Sequence, residues 1–234
     1  MGRKAHTRKS APGATQGETI SAKRRRAQEI LQALRAEFPD ARTALHHQNP
    51  FQLLIATILS AQCTDDRVNM VTPGLFRKYL NPEHFAAAHQ AELEEDIRST
   101  GFFRMKARSI IGCSTALVER HGGKVPEVMD ELVALPGVGR KTANVVLGQA
   151  FGIAAGVVVD THVQRLAQRL GFSAAKNPEE IEKDLIEVFP QENWIEVGTS
   201  LILHGRKTCA ARGPRCSVCL VSELCPSAGL PGSR

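Results

Sequence analysis

The 234-residue chain has no apolar run approaching the about eighteen uninterrupted residues of a membrane span. Its N-terminus also lacks the apolar stretch of a secretory signal. These absences point to a soluble, intracellular, cytoplasmic protein without a membrane partner. The early Arg and Lys residues leave an organellar transit peptide open, although Pro12, Gly13 and Gly17 interrupt any amphipathic helix there. No hairpin signal stands out, and no repeat of about 20–50 residues is seen. A disulfide framework is disfavoured too, since clustered cysteines in an intracellular protein are more often a metal site. Cys63 and Cys113 stand alone in helical patterns and read as small buried apolar residues, while the other four cysteines crowd one C-terminal stretch.

Hydrophobic residues make up 42% of the chain, enough for one large domain or two small ones. The pattern is helical nearly throughout, so the expected class is all-α. A period near 3.6 places a helix over residues 22–38, with Ser21 as a cap and Pro39 as a stop. Asn49-Pro50 opens an apolar helix from Phe51 to Gln62. Further helices are predicted at 65–79, 90–99 and 105–121, and from Pro126 to Leu135. Others begin near Arg140, after Asp160 and at Asn177-Pro178, and a last one runs from about Asn193 to Lys207. Val157-Val158-Val159 is too short to establish a strand.

Charge is unevenly placed. The net +6 arises in residues 1–26, where Arg3, Lys4, Arg8, Lys9, Lys23, Arg24, Arg25 and Arg26 face a single acid, Glu18. The rest of the chain is close to neutral. Residues 1–21 read as a disordered basic tail, able to add salt-sensitive affinity for a polyanion. Residues 226–234 read as a second tail, with nothing apolar enough to dock.

Three segments carry chemistry. Cys209, Cys216, Cys219 and Cys225 are separated by six, two and five residues. Four thiolates so spaced can close one metal centre, and the spacing alone leaves iron–sulfur and zinc open, with disulfides a distant third. Arg206, Lys207, Arg212 and Arg215 surround them, a basic loop suited to a phosphate backbone or simply to solubility. Leu135-Pro136-Gly137-Val138-Gly139 lies between two helices. Its glycines let backbone N–H groups approach an anion at a helix N-terminus. Lys141 comes next in the first turn, where the helix dipole disfavours a cation. It reads as a tolerated surface lysine, a phosphate ligand, or an amine made nucleophilic by the dipole and partial burial. Asp160, in Val159-Asp160-Thr161-His162-Val163, reads first as an N-cap.

These residues in this order resemble the endonuclease III family of DNA glycosylases. The resemblance covers about residues 22–225. It rests on the cysteine spacing, the Pro-Gly-Val-Gly-Arg140-Lys141-Thr-Ala segment, Val-Asp160-Thr-His162 and Leu59-Ser-Ala-Gln62-Cys-Thr-Asp65. It implies two helical domains with a DNA-binding cleft between them. One is a six-helix domain at 43–152 holding the helix–hairpin–helix; the other is an iron–sulfur domain from 22–42 and 153–225. It further implies a [4Fe–4S] cluster on the four cysteines, Lys141 as nucleophile and Asp160 as catalytic carboxylate. DNA contacts would come from Gln62, Phe102, Gly137, Val138, Gly139, Arg140, His162, Arg206, Lys207, Arg212 and Arg215. Gln62 would fill the gap left by an extruded base. Phe102 stands where relatives carry an aliphatic wedge, and a core position is its other reading. The implied activity is removal of oxidised or ring-saturated pyrimidines, with strand cleavage at abasic sites. The enzyme would act as a monomer on double-stranded DNA, nucleoid-associated in a bacterium. The rivals are a monofunctional adenine-type glycosylase, whose family lacks the lysine, and a non-enzymatic hairpin and zinc DNA-binding protein. The long basic tail, Phe102 and Cys63 depart from the family pattern.

Overall fold

A computed structural model describes residues 17–230. The helices among them are α1 (Ile20–Glu37), α2 (Pro50–Leu59), α3 (Asp65–Lys78), α4 (Pro82–Ala86), α5 (Gln90–Asp96), α6 (Phe103–His121), α7 (Met129–Val133), α8 (Arg140–Phe151), α9 (Thr161–Arg169), α10 (Pro178–Val188) and α11 (Trp194–Lys207). Short 3-10 turns form at Arg98–Thr100, Gln191–Asn193, Cys216–Val218 and Ser222–Leu224. No strand forms among the described residues, Val157–Val159 included, and the class is all-α as expected. No helix there is long and apolar enough to cross a membrane.

Asn-Pro starts three of these helices. Asn49, Asn81 and Asn177 each turn a side-chain oxygen onto a first-turn backbone N–H, while the adjoining proline needs no partner for its nitrogen. Helix α4, opened by Asn81-Pro82, was not anticipated. Its five residues are too few to show a period, yet its Phe85 is fully buried.

Several boundaries differ from expectation. Helix α1 is capped by Thr19, not Ser21, so the anticipated tail reaches no further than residue 18. Arg26 pairs with Glu18 at 2.8 Å and donates to the Leu170 carbonyl at 2.7 Å, and Arg24 donates to the Glu187 carbonyl. Those two arginines are docked and do not belong to a free basic arm. The expected disorder of residues 1–16 and the end of the C-terminal tail at 231–234 lie outside the described residues. Beyond Cys225 the chain turns back and buries Ser227, so the second tail is docked that far. Pro126 is buried before α7 and does not open it. Helix α2 stops at Leu59 because the chain soon enters a positive φ at Gln62.

Contacts divide the chain into two compact units, Arg42–Ala155 and the segments on either side of it. In the Arg42–Ala155 unit, α2 is buried at every position from Leu53 to Leu59. A helix apolar all round must be enclosed, and α3, α6 and α8 pack on it. Each such fully buried Leu or Ile contributes roughly 1.5–3 kcal/mol. Phe85 stacks against Tyr79 and meets Phe51 edge-on. In the other unit, the Ala27, Ile30, Leu31 and Leu34 stripe of α1 faces a core that includes Val163, Leu166, Leu185 and Leu201. Helices α9 and α11 pack closely there.

Candidate functional site

In the Arg42–Ala155 unit, α7 and α8 are joined by the Pro136–Gly139 turn. Leu132, Leu135 and Val138 are buried and pin this turn to the core, while Gly137, Gly139 and Arg140 are exposed. Gly137 has φ +77°, and a Cβ on it would lie 2.5 Å from the Ser109 Cβ, so only glycine fits. Gly139 is the N-cap of α8 with extended backbone and no side-chain cap, and the first turn holds no acid. The amide ends of that turn and the helix dipole favour an anion. Lys141 stands in this turn and is exposed, so the expectation of partial burial is not met.

The turn after α2 and the turn before α6 share a feature. Gln62 at φ +53° and Phe102 at φ +47° are the two non-glycine residues with positive φ among the described residues. Such strain, of order 1–3 kcal/mol each, clusters at functional positions. Phe102 is 60% exposed, which excludes the core reading. Between these turns lies a residue that sequence reasoning missed. Lys106 is 4% exposed and donates to the carbonyls of Leu59 at 2.8 Å and Thr100 at 2.7 Å. Burial pushes its ammonium below the ordinary lysine range, with Cys63 pulling weakly the other way. The available signal was a lysine inside the apolar stripe Phe103, Ala107, Ile110. Cys113 is fully buried, its thiol pushed up to about 12 by burial, whereas Cys63 is only half-buried.

In the second unit, Asp160 caps α9. Its Oδ1 accepts from the N–H groups of His162 at 2.8 Å and Val163 at 2.9 Å. The anticipated capping role is thus filled by one oxygen. Gly205 of α11 lets α9 approach closely, since a Cβ there would lie 3.0 Å from the His162 Cβ. His162 is half-buried at this contact, its Nδ1 3.2 Å from Arg165 Nη2.

Helix α9 also grips the cysteine loop. Arg165 donates to the carbonyls of Gly205 at 2.9 Å and Cys209 at 3.0 Å. Arg169 reaches the Cys209 sulfur at 3.2 Å and the Ala210 and Ala211 carbonyls. The thiols of Cys209, Cys216, Cys219 and Cys225 line one cavity, walled by Leu166, Leu170 and Val221. Burial pushes the thiols of Cys219 and Cys225 up, so a thiolate there needs a compensating cation. His204 lies between Cys219, 3.5 Å from its sulfur, and the Glu37 carboxylate at 3.0 Å. Among the described residues no three His, Cys, Asp or Glu side chains gather as ligands of one metal ion. The donor set itself fits a thiolate-bound iron centre: four soft sulfur-bearing residues lining one cavity, with an arginine N–H directed at one of the sulfurs.

The four basic residues near the loop are not equivalent. All are exposed, but Lys207 pairs with Glu37 at 3.6 Å and lies over the Phe38 ring, and Arg215 donates to the Lys207 carbonyl. Neither is a loose cation.

Residues 55–191 match the HhH-GPD superfamily of base excision DNA repair proteins. A helix–hairpin–helix repair protein is therefore the class to which this chain belongs. The chain is 54% identical over 209 residues to endonuclease III of Synechocystis sp., covering 89% of this chain and 95% of that one. It is 44% identical over 197 residues to endonuclease III of Escherichia coli K12, covering 84% and 93%. A solved structure of a trapped endonuclease III–DNA covalent intermediate matches at TM-score 0.83 and 45% identity, over 88% of this chain and 96% of that one. A non-covalent endonuclease III–DNA complex also matches at TM-score 0.83, with 46% identity. The chain belongs to the endonuclease III family, whose members are DNA glycosylases with AP lyase activity in base excision repair.

Proposed function

We propose that this chain excises oxidised or ring-saturated pyrimidines from double-stranded DNA and then cuts the strand, with Lys141 as nucleophile and Asp160 as catalytic carboxylate. The observation that carries the reading is Lys141 itself. It is an exposed amine in the first turn of α8, directly behind a glycine turn and anion-favouring helix start. A phosphate held on the turn's N–H groups, with Arg140 beside it, would bring the neighbouring sugar to that amine.

The free amine attacks C1′ as the base departs with the glycosidic electrons. Asp160, its Oδ2 taking no hydrogen bond from the described residues, would face the developing sugar cation and receive the amine proton. Ring opening leaves a Schiff base on Lys141. Loss of a C2′ proton then expels the 3′ phosphate, and water releases the lysine. Gln62 and Phe102 would enter the stack where the base has left. Val138 would anchor the hairpin, His162 would brace α9, and Arg206, Lys207, Arg212 and Arg215 would lie along the backbone.

Cys209, Cys216, Cys219 and Cys225 would hold a [4Fe–4S] cluster, which supplies structural cross-linking of the loop and leaves no open ligand position for substrate. The protein would work as a monomer in the cytoplasm or nucleoid. Borohydride trapping on a thymine glycol duplex tests the nucleophile. Wild-type protein should become covalently linked to DNA, and Lys141→Gln should not, while still binding an abasic duplex. Trapping of Lys141→Gln at near wild-type yield would move the nucleophile elsewhere.

A further inference from the structure

Lys106 is a buried ammonium that the excision chemistry does not use. Its two acceptors are the carbonyls of Leu59 and Thr100. Leu59 is the last residue of α2, and Thr100 is the last of the 3-10 turn before α6. Unsatisfied carbonyls and the negative end of the dipole gather at a helix C-terminus, so a cation there is favoured. A single ammonium thus closes two helix ends at once.

Each end leads directly into a strained turn. Gln62 lies three residues beyond Leu59, and Phe102 lies two beyond Thr100. These are the two strained non-glycine positions of the described chain, and both side chains are exposed. Phe102 is also the residue from which α6 springs, and the Lys106 backbone N–H bonds the Phe102 carbonyl at 3.1 Å. Other hydrogen bonds of these turns are local, among them Ala61 N–H to Ile58, Cys63 N–H to Ser60, Gly101 N–H to Arg98, and Thr100 Oγ1 to Ile97. The Lys106 bonds run from one turn to the other. A lysine would be placed in a core stripe, against its desolvation, only where its hydrogen bonds offset that cost.

From this geometry we infer that Lys106 is a positioning residue: it locks the Gln62 and Phe102 turns into one rigid two-pronged probe and thereby sets the efficiency of base extrusion. The inference rests on the reading of Gln62 and Phe102 as the side chains that enter the DNA stack. Rigid prongs cross the extrusion barrier already ordered; loose ones must be ordered during it, and the strained φ angles would relax first. A substrate whose base is already absent makes a smaller demand on the probe.

The test compares wild type with Lys106→Met, Lys106→Gln and Lys106→Arg, together with Gln62→Ala and Phe102→Ala. Single-turnover cleavage is measured on a thymine glycol duplex and on an abasic duplex. Extrusion is followed by 2-aminopurine fluorescence, and folding by melting. Lys106→Met should slow extrusion and thymine glycol excision about 10–100-fold, the scale of losing two hydrogen bonds from a charged donor. Abasic cleavage should fall less than about threefold, and Lys106→Arg should recover most of the loss. Lys106→Gln keeps a neutral donor and should show the same selectivity with a smaller loss, which serves if the Met variant does not fold. Adding Lys106→Met to the Gln62→Ala/Phe102→Ala pair should cost little more. Equal losses on both duplexes, or an unchanged ratio, would overturn the inference while the probe reading stood. If Gln62→Ala and Phe102→Ala leave extrusion unchanged, the probe reading falls and takes this inference with it.

Discussion

Gly137→Ala should damage the hairpin for reasons that can be worked out in advance. The backbone at φ +77° places alanine in a left-handed conformation, costing about 1–2 kcal/mol. The new Cβ would also sit 2.5 Å from the Ser109 Cβ and 2.9 Å from its Oγ. Ser109 belongs to α6, so the helix or the turn must shift, adding roughly 1–3 kcal/mol of overpacking. The total, about 2–5 kcal/mol, should lower the melting temperature by roughly 4–20 °C for a chain of this size. Gly139→Ala provides the contrast. Its backbone is extended and a Cβ there meets nothing within 4 Å, so stability should change by less than about 0.5 kcal/mol. Yet that Cβ lies at the α8 N-terminus, and affinity for an abasic duplex should still fall, by about tenfold. Denaturant unfolding and duplex titration at fixed salt measure both. A double variant, Gly137→Ala with Ser109→Gly, should lose about 1–2 kcal/mol less than the sum of its parts. Strict additivity would show that the Ser109 contact is irrelevant, and an unchanged melting temperature for Gly137→Ala would refute the whole argument.

Phe102→Gly should raise stability by about 0.5–1 kcal/mol by relieving the positive φ, while slowing excision; a drop in melting temperature would mean that the ring packs after all. Purified anaerobically, the protein should contain about four irons and four sulfides per chain, and stoichiometric zinc without sulfide would refute the cluster assignment. Arg169→Met should speed the loss of visible cluster absorbance under chelator about tenfold, because the clasp on the Cys209, Ala210 and Ala211 segment is gone; unchanged decay would show that the clasp is idle. Asp160→Asn should keep α9 capped through its amide oxygen but slow excision about 100-fold or more, and a melting loss above about 2 kcal/mol would mean that the variant reports on folding instead.

The helical class was legible because most helices are long enough to show a period or begin with a strong cap. Helix α4 shows the limit: Asn81-Pro82 carries the same signal as Asn49-Pro50 and Asn177-Pro178, but five residues give no stripe to confirm it. The start of α1 was misplaced because Thr19 and Ser21 are both competent caps, and the first-turn geometry that selects Thr19 is not written in residue type. At the site, the residues of recognisable segments could be named from sequence, since their spacing is local. The residues that support them could not. Lys106, Arg169 and His204 act through contacts across 47, 40 and 167 positions, to Leu59, Cys209 and Glu37. Charged residues default to solvent in any pattern reading, so a buried lysine or arginine is visible only once its carbonyl acceptors have been brought to it.

Helix α9 makes the cysteine loop relevant to a carboxylate that the loop does not touch. Asp160 is fixed to the first turn of α9 by two N–H bonds on one oxygen. A helix of nine residues is about 13 Å long, and its further half carries Arg165 and Arg169, both bonded to the start of the loop. Gly205 removes the side chain that would hold α9 and α11 apart. Any centre that cross-links the four cysteines would therefore hold Arg169, then α9, then the direction of the Asp160 carboxylate. Loss of that centre should lower excision without altering a group at the reacting sugar. A structural cofactor held there would then be coupled to Asp160 through one helix, whose rigidity comes from burying its own Val163 and Leu166 in the core rather than from its short length.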